Sequence, residues 1–96
     1  MSTDSQPTIT VLYFAAAHTC TKLHSEVITL PIGPNEAGFP LSNLGDLLAS
    51  RHHQTGLERV LDVSQWSVNL DMINDVDAVI LTGGEEVAVI PPVSGG

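Results

Sequence analysis

Apolar positions along this chain fall into short alternating runs broken by turn formers, with one interval of helical spacing near the middle. The run Thr8-Ile9-Thr10-Val11-Leu12-Tyr13-Phe14 is rich in β-branched and aromatic residues and predicts a strand. Successive side chains on a strand point to opposite faces, so Ile9, Val11 and Tyr13 share one face and Thr10, Leu12 and Phe14 the other. Both faces are substantially apolar, so the strand is central in its sheet or turns its second face to another protein. A polar stretch from Thr19 to His24 predicts a turn. Glu26-Val27-Ile28-Thr29-Leu30 then predicts a second strand stopped by Pro31, and the two strands together suggest a hairpin.

Residues 33–40, Gly-Pro-Asn-Glu-Ala-Gly-Phe-Pro, are dense in turn formers and predict a loop. Leu41, Leu44 and Leu48, with Leu47 alongside, make one apolar stripe at helical spacing, and Ser42 is placed to cap that helix. Gly45 lies inside it, at a cost of about 1 kcal/mol relative to alanine. After Gly56, Leu57, Val60 and Leu61 predict a short helical turn. Trp66-Ser67-Val68-Asn69-Leu70 alternates as a third strand. Asp71, Asn74, Asp75 and Asp77 crowd the next connection, and Ala78-Val79-Ile80-Leu81 is a short apolar run. Thr82-Gly83-Gly84-Glu85 predicts a turn with two glycines free to take positive φ. Glu86-Val87-Ala88-Val89-Ile90 is the last strand, ended by Pro91-Pro92. The order predicts an α+β domain of the β-grasp kind, a mixed sheet with one main helix packed on one face. Its expected limits are residues 8–90, between a disordered end at 1–7 and an extended tail at 91–96. No internal repeat is visible.

With 96 residues the chain holds one domain. Such a domain buries roughly 60–65% of the surface of its unfolded chain, enough for a single core. Three Lys/Arg stand against eleven Asp/Glu, a formal net charge of −8. No basic surface is available to neutralise phosphates, which argues against a nucleic-acid partner. The acidity fits steering toward a basic partner, or solubility alone. No apolar run approaches the ~20 residues that cross a bilayer, so no membrane role is expected. The first seven residues lack the basic and apolar regions of a signal peptide, and a cytoplasmic location is expected. The single cysteine, Cys20, excludes an internal disulfide and a thiol-rich metal site. It reads as a small apolar residue in or near the core. His18 and His24 do not match a metal-ligand spacing. His52 and His53 are adjacent, so on a helix they point apart, and no metal is expected.

The last strand runs almost directly into Pro91-Pro92-Val93-Ser94-Gly95-Gly96. Two prolines hold the chain extended as it leaves the sheet. From Pro92 to Gly96 it can reach at most about 17 Å beyond the body. Gly95 and Gly96 present no side chain, so a terminal carboxylate there can thread a narrow channel. These properties suit a terminus that is itself the reactant. A carboxylate is a poor electrophile until activated. Adenylation of Gly96 by ATP would make an acyl-adenylate, a persulfide sulfur could displace AMP, and the resulting thiocarboxylate would be a nucleophilic sulfur donor. A glycine pair at a frayed end is the plain alternative, and the Pro-Pro-Val-Ser context argues against it.

At this point the sequence resembles the small, ubiquitin-like subunit family of molybdopterin synthase. The resemblance is carried by Val11-Leu12-Tyr13-Phe14-Ala15, by Thr82-Gly83-Gly84-Glu85-Glu86-Val87-Ala88 and by Val89-Ile90-Pro91-Pro92-Val93-Ser94-Gly95-Gly96. Ser25-Glu26-Val27-Ile28-Thr29-Leu30-Pro31 is a softer match, and residues 33–62 match only in pattern. The loop at 33–40 looks longer than the family's, and Gly45 is unusual in that helix. The resemblance implies a β-grasp fold, activation by an E1-like adenylating enzyme and sulfur loading on Gly96, with Gly95 beside it. It implies a large catalytic subunit as partner, usually in a heterotetramer of two small and two large chains. There the tail would give sulfur to a cyclic pyranopterin monophosphate. Catalytic side chains would belong to the partner, ATP would be used by the activating enzyme, and this chain would bind no cofactor of its own. Docking is expected through Phe14 and Ile90, with Pro91, Pro92, Val93 and Ser94 leading into the tail.

Two rival readings stand beside this one. The same fold and terminus would serve a carrier for transfer-RNA thiolation or thiazole synthesis, or a modifier conjugated to lysines. A module that only binds, with an idle tail, is the alternative from another class. A self-contained enzyme is disfavoured, because no Ser/His/Asp or Cys/His arrangement, phosphate-binding loop or carboxylate pair is present in the pattern.

Overall fold

A computed structural model describes residues 6–92 of the chain. Strand β1 (Thr8–Tyr13) leads through helix α1 (Ala15–Thr21) to β2 (Ser25–Thr29). The two-residue β3 (Phe39–Pro40) follows, then a 3₁₀ turn (Leu41–Asn43), α2 (Leu44–Arg51) and α3 (Leu57–Asp62). The rest is β4 (Gln65–Val68), β5 (Asp71–Ile73), a second 3₁₀ turn (Val76–Ala78), β6 (Ile80–Leu81) and β7 (Glu86–Ile90). Five strands form one sheet in the order β2-β1-β7-β4-β5, and β3 pairs with β6 apart from it. The β1–β7 pair is parallel and the other pairs of the main sheet are antiparallel. The α+β class and the mixed sheet agree with the sequence pattern.

The alternation in β1 does what it predicts. Ile9, Val11 and Tyr13 are buried in the core, while Leu12 is half-buried and Phe14 exposed. Against the core face lie Leu44 and Leu48 of α2, Leu57 and Leu61 of α3, and Ala17 of α1. Burying each such leucine contributes about 1.5–3 kcal/mol, which holds helices too short to persist alone. At the far end of the sheet, Gly83 and Gly84 take φ of 124° and 86°, as the turn before β7 requires. Glu85 closes that turn, accepting from the Thr82 and Gly83 backbone N–H groups at 2.9 and 2.7 Å.

Three local expectations are corrected. β1 and β2 do pair antiparallel, but residues 15–21 between them form a helix rather than part of a simple hairpin connection. Its one buried residue is Ala17, so its packing stripe is too small to register as apolar periodicity. The main helix and the short helical turn expected after Gly56 are present as α2 and α3, separated at Gln54 and Gly56, both with positive φ. Ser42, however, does not cap α2. Leu41–Asn43 make a 3₁₀ turn, and Asn43 at the α2 N-cap makes no side-chain cap bond. Finally, the third strand ends at Val68. Asn69 and Leu70 form a two-residue loop with φ of 52° and 74°, and Asp71–Ile73 returns as β5. Positive φ at both positions is the type I′ geometry that matches strand twist.

Candidate functional site

Because β7 runs parallel to β1, both strands finish at the same edge of the sheet. Phe14 follows directly on β1, and its N–H donates to the Val89 carbonyl at 3.4 Å. The chain that leaves β7 at Ile90 therefore emerges beside Phe14.

The face of the sheet turned away from the helices is apolar near this edge. Strand register places Leu12 opposite Ala88, Ala88 opposite Ser67, and Ser67 opposite Met72, in one row across β1, β7, β4 and β5. The two middle residues are small and the two outer ones large, so the row is concave. With Phe14, Ile90 and Leu70 it lines a hollow of about 250 Å³. Phe14, Leu70 and Met72 are 48%, 87% and 51% exposed, a cluster of large side chains at a surface that none of the described elements covers. Leu70 is presented from a positive-φ position, a conformation that costs a leucine energy. Among the described residues, Glu86 is the one charged residue lining the hollow.

Sequence reading places Phe14 and Ile90 here, and the structure brings them together. It misses Leu70 and Met72, which it assigns to a strand and leaves unassigned. The available signal was the tight turn at Asn69, whose position decides that Met72 shares a face with Leu12. Pro91 is buried and Pro92 exposed, so Pro91 anchors the tail's root and Pro92 is the available surface. Val93, Ser94, Gly95 and Gly96 lie outside the described residues, as does the expected disordered end up to residue 5.

A polar cluster backs the other side of β1. Glu26 Oε1 accepts from the Tyr13 hydroxyl at 2.8 Å and lies 2.8 Å from His52 Nε2, while Oε2 accepts from Arg51 Nη2 at 2.7 Å. Burial favours the neutral acid, but the hydrogen bonds from His52, Arg51 and Tyr13 outweigh it and hold Glu26 below the usual carboxylate range. Burial, then the bond to Glu26, pushes the Tyr13 phenol far up, so it stays a donor. Among the described residues, no group of three or more His, Cys, Asp or Glu is placed to hold a metal ion. None of the described helices is long and apolar enough to cross a membrane.

No protein-family model matches the chain. Individual relatives do. A protein of Mycosarcoma maydis named molybdopterin synthase sulfur carrier subunit is 46% identical over 93 residues, covering 94% of this chain and 95% of that protein. The chain belongs to the molybdopterin synthase sulfur carrier subunit family. A second member, from Emericella nidulans, is 34% identical over 93% of the chain and 98% of its own length. Solved structures place this sulfur carrier subunit in the β-grasp, ubiquitin-like fold. SAMP1 from Haloferax volcanii superposes with a TM-score of 0.72 at 19% identity, covering 93% of this chain and 99% of that one. A chain from the Helicobacter pylori complex of molybdopterin-converting factor subunits 1 and 2 gives 0.62 at 22% identity, covering 93% and 99%.

Proposed function

We propose that this sulfur carrier subunit delivers sulfur from the carboxyl group of Gly96, and that the apolar hollow around Phe14 seats the enzyme that receives it. The observation that carries the reading is the position of Ile90: the tail leaves the sheet at the rim of an apolar surface that none of the described elements covers. An enzyme gripping that surface lies beside the point at which the tail leaves the sheet. In the H. pylori neighbour the two subunits of molybdopterin-converting factor form a complex, which supports a large subunit as the partner here.

The chemistry follows from the carboxylate's low reactivity. An E1-like enzyme joins the Gly96 carboxylate to AMP from ATP, releasing pyrophosphate. The terminal sulfur of a persulfide attacks the acyl carbon and AMP leaves. A second thiol then breaks the S–S bond of the acyl disulfide, leaving the thiocarboxylate on Gly96 and a disulfide on the donor. In the large subunit's active site that sulfur passes to a cyclic pyranopterin monophosphate in forming molybdopterin. The chain binds no cofactor, ATP belongs to the activating enzyme, and the reaction takes place in the cytosol.

The test is the intact mass of the chain after incubation with ATP, an E1-like activating enzyme and a sulfur donor. Replacement of one oxygen by sulfur, mapped to Gly96, is the expected result. An unchanged mass, with the same enzyme active on another carrier, would leave a binding module without covalent chemistry.

A further inference from the structure

The helical side of the sheet carries a groove that the sulfur chemistry does not use. It has a volume of about 220 Å³ and is lined by residues of α2, α3 and β4, with Trp66 and Leu61 among its apolar walls and Asp46, Glu58 and Asp62 at its surface. Trp66 pairs with Val89 and Ile73 in the core-facing row of the sheet, yet it is only half-buried. The groove it lines is shared with Gly45. Among the described residues, a Cβ at Gly45 would meet only the Trp66 ring, at an ordinary 3.8 Å, and the position is helical, so none of them demands glycine there. Its effect is to leave the indole reachable, at a cost in helix propensity of about 1 kcal/mol.

Asp46, Glu58 and Asp62 form no ion pair among the described residues, where the salt bridges are those of Glu26 with Arg51 and His52. Nor are the three carboxylates placed to converge on a metal ion. An open aromatic ring flanked by separated carboxylates suits a planar, delocalised cation, which stacks on indole and offers several donors. The volume falls below the roughly 300–1,000 Å³ of small-molecule pockets and suits one side chain. The chain has only three Lys/Arg against eleven Asp/Glu, so the cation comes from another molecule.

We propose that this groove receives an arginine side chain of a protein partner, its guanidinium on the Trp66 ring and its charge met by Asp46, Glu58 and Asp62. Trp66 and Ser67 are adjacent on β4 and point to opposite faces, so the groove and the Phe14 hollow lie on opposite sides of the sheet. A partner can hold the carrier from the helical side while the hollow is occupied. The proposal does not depend on sulfur loading.

The test is a titration of the ¹⁵N-labelled full chain with the peptide acetyl-Gly-Arg-Gly-amide. The indole signal is unambiguous, because Trp66 is the only tryptophan. Saturable shifts at the Trp66 indole and at the Gly45, Asp46 and Asp62 amides are expected, with the citrulline peptide silent. The double variant Asp46→Asn/Asp62→Asn, checked for an unchanged melting profile, should bind at least about tenfold more weakly. Gly45→Ala should melt at a higher temperature and still bind more weakly, which a purely structural role for that position would not produce. Equal shifts from the citrulline peptide, or shifts spread over the acidic surface, would overturn the proposal. So would agmatine binding as tightly as the peptide, because the groove would then be a small-amine site.

Discussion

The Tyr13 hydroxyl donates a 2.8 Å hydrogen bond to Glu26 Oε1 from a ring that is only 2% exposed, joining the core face of β1 to the edge strand β2. His52 and Arg51 reach the same carboxylate from the end of α2, so one acid ties two strands to a helix.

Acid should undo that tie. Glu26 titrates in the folded chain below its ordinary value of 4.5, so its cluster adds stability that is complete above that pH and is lost as pH falls through the depressed value. Melting temperatures of the natural chain and of Glu26→Gln should therefore differ at neutral pH and converge in acid. A constant gap down to pH about 2 would show that ionisation of Glu26 contributes nothing. Tyr13→Phe should cost about 1.5–3 kcal/mol at neutral pH in a denaturant titration, the usual range for a bond to a charged group.

Phe14 is the neighbour of Tyr13 and should behave oppositely. It is 48% exposed and belongs to the hollow, so Phe14→Asp should change stability by less than about 0.5 kcal/mol. Binding to the large subunit, measured by calorimetry, should fall by at least about a hundredfold, as for a central aromatic contact. Retained affinity would move the docking surface elsewhere.

The two glycines before β7 should differ when replaced by alanine. Gly84 has φ of 86° and open space around it, so Gly84→Ala should cost only the backbone penalty, about 1–2 kcal/mol. At Gly83, φ is 124° and a Cβ would also come within 2.8 Å of Pro7 Cβ. Gly83→Ala should cost at least about 1 kcal/mol more, because the Pro7 segment must shift. Equal melting temperatures for the two variants would contradict this packing.

Removing Gly95 and Gly96 should leave the melting temperature within error and abolish sulfur loading. Loading that survives the deletion, followed by mass spectrometry, would place the sulfur on another group, with Cys20 the first to examine.

The strands at the two ends of the chain, the Gly-Gly turn between Thr82 and Glu85, and the chemistry suited to the tail are legible in the sequence. Each depends on residues close together in the chain: alternation over six positions, φ at two glycines, the absence of side chains at Gly95 and Gly96. The helix at 15–21 escaped that reading because its packing residues are small, and its place is decided by the core that Ala17 enters. Leu12 and Met72, sixty residues apart in the chain, share a surface only because the register of four strands aligns them. The same holds for Glu26, His52 and Tyr13, and for Trp66 across the groove from Gly45. Local sequence determines what each segment can form and which chemistry its side chains can carry. Tertiary structure decides which of them meet, because strand pairing and helix packing set distances that no spacing along the chain encodes.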